Sequence, residues 1–465
     1  MADHEFSPEV AWETGTMITS LSRRDLLNGS IAAGAFSATT LATTLAAPSV
    51  NPLAPRQSHF QPKAKRVILL FMTGGASHVD TFDPKPALRE LDGKDAGSGR
   101  IYTGSRWGWK KYGESGIEVS DLFPHVGKCV DDICMMRSLH GDKGDHFEAT
   151  LSMHSGTMAE ALPGIGAWVS YGLGTQNPNL PSHVVFAEKL PYAGAQAWDS
   201  NFLPAYHQGM RVTPGSNPIR DLSPDPATAS LQFQELQLLQ KMNQRHFRTR
   251  NDDDTLAARM YSFSAASGLQ QKAPEVFDLS EESDETLQLY GIDREDRNSF
   301  GWQCLCARRM SERGVRFIEV VDKGNWDAHS KMASYDGLAK RVDQPIAALL
   351  QDLKRSGQLE ETLVIWCTEF GRTPSARKTA RDGRDHYKDA FTCWLAGGGV
   401  KSGYIHGATD EVGARIVENP VHIHDFHATI MHLLGFDHKK LTYHFSGRDY
   451  RLTGLAGNVV QDVIA

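Results

Sequence analysis

The chain has 465 residues, a formal net charge of -7 and 19 histidines, with 40% hydrophobic and 23% charged residues. That is ordinary globular composition, long enough for a large α/β domain with an insertion, and it excludes extensive disorder beyond the ends. The acidic balance, with no long basic run after the first sixty residues, argues against a nucleic-acid partner held through its phosphates.

The first sixty residues read as targeting rather than fold. Ser22-Arg23-Arg24-Asp25-Leu26-Leu27 precedes a weakly apolar, Ala/Thr/Gly-rich stretch from Ile31 to Ala47. This is the layout of a twin-arginine signal with a cleavage site around Ala46-Ala47. The expectation is export of an already folded protein, cofactor loaded, by the twin-arginine machinery to the periplasm or beyond. No other segment reaches the roughly 18 apolar residues of a membrane span.

Residues 61–465 are expected to form one α/β domain. Val67–Met72 is an apolar run that opens into Thr73-Gly74-Gly75-Ala76-Ser77-His78-Val79-Asp80, and strand-helix alternation continues to about Tyr206. A helical insertion capping the sheet is expected at about 217–300. There Leu231, Phe233, Leu236, Leu238, Leu239 and Met242 recur at helical spacing, and a second helical stretch starts at Thr255. Val315–Val321 then opens into Asp322-Lys323-Gly324-Asn325-Trp326-Asp327-Ala328-His329. Leu338, Val342, Ile346, Leu349, Leu350 and Leu353 share one helical face, in a helix that Pro345 is expected to start or kink. Val364–Cys367 ends in Thr368-Glu369-Phe370-Gly371-Arg372, and Gly383-Arg384-Asp385-His386 precedes the run Ala390–Leu395, which enters Gly397-Gly398-Gly399. His424–Gly435 reads as an amphipathic helix ending in glycine.

Apolar runs that stop abruptly at carboxylates, histidines and glycines are how an α/β enzyme presents polar groups at the carboxyl edge of its sheet. Asp327, His329 and His386 supply the carboxylate and imidazole set that a divalent cation such as zinc needs beside an open position. Arg372 or Arg384 would counter the charge of an anionic substrate, or each would pair with a structural carboxylate. The six cysteines are too few and scattered for a disulfide scaffold, although one or two bridges would fit. No C-x-x-C pair exists to hold a thiolate zinc.

Leu70–Pro86, Gly324–His329, Thr368–Pro374 and Ser446–Thr453 resemble the bacterial family catalogued as domain of unknown function 1501, a sulfatase-like branch of the alkaline-phosphatase superfamily. The resemblance covers nearly all of the chain after the signal. It implies a three-layer sandwich of alkaline-phosphatase/sulfatase type with a mainly parallel central sheet. It further implies a metal-dependent hydrolase of phosphate or sulfate esters or a related anionic substrate, a small molecule or a glycan ester. One or two divalent ions are implied, zinc first, with calcium or another divalent ion as alternatives.

Carried over by residue, Asp327-Ala328-His329 followed by a helix bearing Asp343 resembles the segment that ligates the first metal, with Asp-x-His where Asp-x-x-x-His is usual. Glu369 stands where sulfatases place a metal-binding aspartate, Phe370 where they place a histidine, and His386 resembles the late histidine of the first metal site. Where the first strand of sulfatases ends in aspartates, this chain has Thr73-Gly74-Gly75 and offers His78 and Asp80 a few residues later. Ten residues before Gly156, His146 takes the nucleophile's position, with the roles of nucleophile, ligand and general base all open. A helix N-terminus there is expected to lower its affinity for a proton. His424–Ile430 resembles a structural helix signature. The missing hydroxyl or thiol and Phe370 favour a competing reading, a sulfatase-like binding protein that kept a metal pocket and lost turnover.

Overall fold

Nine strands form the central sheet: β1 (Arg66–Phe71), β2 (Ile133–His140), β3 (His183–Ala187), β4 (Met210–Val212), β5 (Phe317–Val321), β6 (Thr362–Cys367), β7 (Phe391–Ala396), β8 (Tyr404–His406) and β9 (Val421–His422). This is a computed structural model, and it describes residues 51–158, 162–220, 222, 227, 229–250 and 254–465. The twin-arginine motif and its apolar stretch lie outside the described residues. Across the sheet the order is β8-β2-β7-β6-β1-β5-β3-β4, with β9 also on β2. β1 runs parallel to β6 and β5, and β3 is parallel to β5 and β4. Only β7 is antiparallel to its neighbours, β6 and β2.

The central strands are apolar on both faces because both faces are covered, as a parallel sheet requires. Alternate residues separate two layers. Ile68, Leu70, Ile318, Val320 and Trp366 face one side; Val67, Leu69, Phe71, Ile365 and Cys367 face the other. The helices that matter are α1 (His146–Ser155), α2 (Ile165–Leu173), α3 (Ala229–Phe247), α4 (Asp254–Phe277), α5 (Phe300–Glu312), α6 (Ser334–Arg355) and α7 (Ile423–Leu433). α5 and α6 cover the first layer, joined by Ala273, Val276 and Phe277 of α4; α2 and α7 cover the second. The result is a three-layer α/β sandwich.

Three sequence expectations need correction. α6 does not start at Pro345; it runs from Ser334 to Arg355 with Pro345 buried inside. Its apolar face, from Leu338 to Leu353, is buried along the same stretch, and that packing outweighs the one amide the proline lacks. The triglycine after β7 does not reach the functional edge. Because β7 is antiparallel, its end lies where β6 begins, and a Cβ on Gly397 would sit 2.1 Å from the carbonyl oxygen of Leu359. The start of β7, just after His386, takes the functional edge instead. All six cysteines are buried and free, so neither of the admitted disulfides forms. No described helix is long and apolar enough to cross a membrane.

Candidate metal centre

Five segments converge at the carboxyl edge. β1 leads to Gly74, β2 to His146 at the start of α1, β5 to Asp327 and His329, and β6 to Glu369. The segment before β7 carries His386. Their register explains the meeting: Phe71 lies opposite both Cys367 and Val321, and Leu139 opposite Phe391, so these chains leave the sheet at nearly one level. A two-residue ribbon then sets Arg372 opposite His386.

Donor atoms of His146, Asp327 and His386 all lie within 4.8 Å of one another. His386 is anchored through Nδ1, 2.7 Å from the Gly144 carbonyl oxygen, which turns Nε2 inward to 3.3 Å from Asp327 Oδ1. His146 is held at Nδ1 by Glu369 Oε1 at 2.8 Å. Its Nε2 stands 3.4 Å from Asp327 Oδ2, yet is buried without a hydrogen-bond partner. A carboxylate on one imidazole nitrogen, with the other aimed at a shared point, is the usual support of a metal-binding histidine. The orphaned buried nitrogen and the carboxylate-imidazole set therefore fit a divalent cation.

His329 Nε2 reaches Asp327 Oδ1 at 2.9 Å and His386 Nε2 at 3.0 Å, while its Nδ1 lies 2.9 Å from Asp385 Oδ1. With 41% of its side chain accessible it is the most open of the three histidines. Asp385 is gripped by Arg100 and Arg377. Glu369 is fully buried; it accepts from the Gly74 amide at 2.8 Å and from Thr368 Oγ1 at 3.1 Å, so it positions His146 rather than standing free. Arg372, also buried, bonds Asp327 Oδ1 at 2.7 Å and donates to the carbonyl oxygens of Gly74 and Gly75.

The electrostatics follow from these contacts. Burial pushes the Asp327 carboxyl up, but the close imidazoles of His146 and His386 and the Arg372 guanidinium outweigh it and hold it well below the usual carboxylate range. Burial likewise pulls His146 down, and Asp327 and Glu369 overcome it, so the imidazole binds its proton more tightly than usual. The expected depression by the helix N-terminus is thus corrected: two carboxylates at close range outweigh a terminal dipole. Asp327 and Glu369 against Arg372 leave one excess negative charge, which suits a dication.

Other nominated residues lie outside the cluster. Asp80 and Arg384 are paired to each other, Arg384 Nε lying 2.6 Å from Asp80 Oδ2, and both are about 1% exposed. Arg384 spends its remaining donors on the carbonyls of Thr373 and Thr103. His78 is buried with Nε2 2.9 Å from the Gly413 carbonyl oxygen. The reason is local: after Gly75 the chain turns at Ser77 into the short helix His78–Thr81, which carries both side chains inward. Asp343 accepts the amides of His125 and Val126, and His427 bonds the Met153 carbonyl. Tyr192, not nominated from sequence, stacks on His146 at 3.9 Å and hydrogen-bonds Asn325. Its loop follows β3, the far neighbour of β5, a placement that only the strand order reveals. Asp385 was visible within Gly383–His386, but extended spacing suggests no partner for it. Phe370 packs against His146 and His386, with ring centroids at 4.8 and 4.6 Å.

Residues 64–464 match the sequence profile described as protein of unknown function (DUF1501). The chain belongs to that family. No curated protein matches it. Among solved structures, this DUF1501 protein is similar to Ps i-CgsB in complex with k-i-k-neocarrahexaose, at 10% identity over 81% of this chain and 72% of that one, with a TM-score of 0.38. The phosphonate monoester hydrolase of Silicibacter pomeroyi is 14% identical over 84% and 77% of the two chains, at a TM-score of 0.37. A sulfatase from Pseudoalteromonas sp., PsFucS1, gives 14% identity over 84% and 72%, at a TM-score of 0.34.

Proposed function

We propose that the protein is a metal-dependent hydrolase of phosphate or sulfate esters, or of a related anionic small molecule or glycan ester, exported by the twin-arginine route. The observation that carries this reading is the convergence of His146, Asp327 and His386, with His146 Nε2 buried, unpartnered and aimed at the common point. These three residues would hold one divalent cation, zinc first. The cation would polarise an ester oxygen and lower the pKa of bound water.

The chain's own residues supply the rest. Arg372 keeps Asp327 ionised and fixed, and Glu369 keeps the proton of neutral His146 on Nδ1, leaving Nε2 as a donor lone pair. His329, oriented by Asp385 and the most open of the cluster histidines, is placed to carry a proton to a leaving group. With a dication held there, the one excess negative charge of Asp327 and Glu369 over Arg372 would turn to a net positive charge and would attract an anionic ester.

Phe370 supports a second reading, a binding protein without turnover. Its buried ring fills the space beside His146 and His386, which favours one cation over two. Metal analysis together with hydrolysis of p-nitrophenyl phosphate and p-nitrophenyl sulfate, comparing wild type with His386→Ala, separates the readings. Bound metal and a His386-dependent hydrolysis support the enzyme; bound metal with no hydrolysis of either ester supports the binding protein. Absence of stoichiometric metal from the purified protein sinks both. For the export proposal, Arg23→Lys with Arg24→Lys should leave precursor in the cytoplasm; unchanged export would refute it.

A further inference from the structure

At the opposite edge of the sheet, where β1 and β5 begin, lies a cavity of about 480 Å³ whose walls carry Arg56, Lys65 and Arg316 and no carboxylate. Arg316 is only 7% exposed. It gives one hydrogen bond, from Nη1 to the Lys65 carbonyl oxygen at 2.9 Å, while its Nε is buried with no partner. Among the described residues no carboxylate pairs with it. Glu361, which lies by Lys65 and Arg66, is already shared by them at 2.5 and 3.5 Å. Arg56 gives one bond each from Nη1 and Nη2 to the carbonyls of Tyr171 and Pro52 and pairs with no carboxylate among the described residues.

A buried guanidinium without a counter-charge is costly and is normally paired. Burial, with Arg66 beside it, lowers the pKa of Arg316 to about 10, so it remains a cation at neutral pH. The cavity falls within the size range of small-molecule sites and exceeds the needs of a bare ion, and Gln57, Ser58 and Gln176 add neutral hydrogen-bonding groups to its walls. We infer that this cavity binds a polar organic anion, a phosphate or sulfate ester of about monosaccharide size, with its charged group on Arg316 and Arg56 and its hydroxyl-bearing body against the glutamines. The site is distinct from the metal cluster, which lies beyond the other ends of the same strands.

Calorimetric titration of the full chain with glucose 6-phosphate, inorganic phosphate and glucose tests this. Glucose 6-phosphate should bind saturably, more tightly than inorganic phosphate, and more weakly as salt rises; glucose should not bind. Binding should persist in His146→Ala and fall at least tenfold in both Arg316→Gln and Arg56→Gln. Arg56 is exposed, so its variant keeps the test valid should Arg316→Gln misfold. The inference is overturned if glucose 6-phosphate does not bind, if both arginine variants bind it as wild type does, or if His146→Ala alone abolishes binding. Equal affinity for inorganic phosphate would overturn the organic-ester assignment.

Discussion

His146 shows how one residue can be placed by sequence and still be misjudged in its chemistry. Its position at the start of α1 was legible from the distance to Gly156, but the carboxylates that raise its affinity for a proton, Asp327 and Glu369, arrive from β5 and β6. Replacing His146 by Ala should abolish ester hydrolysis or strip the metal while leaving the melting temperature within a few degrees. Wild-type activity with unchanged metal content would remove His146 from the site. Glu369→Ala should weaken metal affinity roughly 10–100-fold, as loss of a histidine's supporting carboxylate does, measured by competition with a chelating dye. Proton and metal compete for His146, and its affinity for a proton is raised. Metal binding should therefore weaken as pH falls through that raised value, and strengthen above it. A pH-independent metal affinity between pH 5 and 8 would contradict this. Asp327 was readable because an apolar run ending in polar residues marks a sheet edge, and His386 through its resemblance to a late metal-site histidine. Tyr192 and Asp385 were not, since neither stacking nor an imidazole-carboxylate bond leaves a trace in linear spacing.

Among the elements, the turn after β1 decides how closely the β5 loop can approach. Gly74 has φ +112°, and a Cβ there would lie 2.4 Å from Asn325 Oδ1 and 2.8 Å from the Asp327 amide nitrogen. Gly74→Ala should push Asp327 out of the cluster and remove metal binding and activity together, with strain of about 1–3 kcal/mol seen in urea unfolding. Normal metal content in that variant would show that the loop tolerates the displacement. From sequence these glycines mark only where the first apolar run stops. The sequence could not show that their neighbour is the loop some 250 residues later that bears the metal ligand, because parallel pairing is non-local. The opposite orientation of β7 was illegible for the same reason: an apolar run has no direction until its partners are known.

Across the whole molecule, buried histidines set the response to acid. Burial lowers the pKa of His183, His207 and His427 to about 3, well below the unfolded value of about 6.5. Their contribution is neutral above the unfolded pKa, and stability is lost as pH falls below it, by at most about 1.4 kcal/mol per pH unit for each. His146 and His154, whose affinities for a proton are raised by neighbouring carboxylates against the pull of burial, do not share in this loss. Urea unfolding at pH 6 and pH 5 should show this loss, and His427→Gln should reduce it; equal stability at the two values would refute the assignment. By itself the sequence determined the α/β class, the apolar strands and their polar ends, since burial on two faces dictates composition and turn chemistry marks the stops. Only the tertiary structure decided which polar ends meet. Strand order and direction brought His146, Asp327 and His386 together and sent Asp80 to Arg384, choices that rest on contacts between segments hundreds of residues apart.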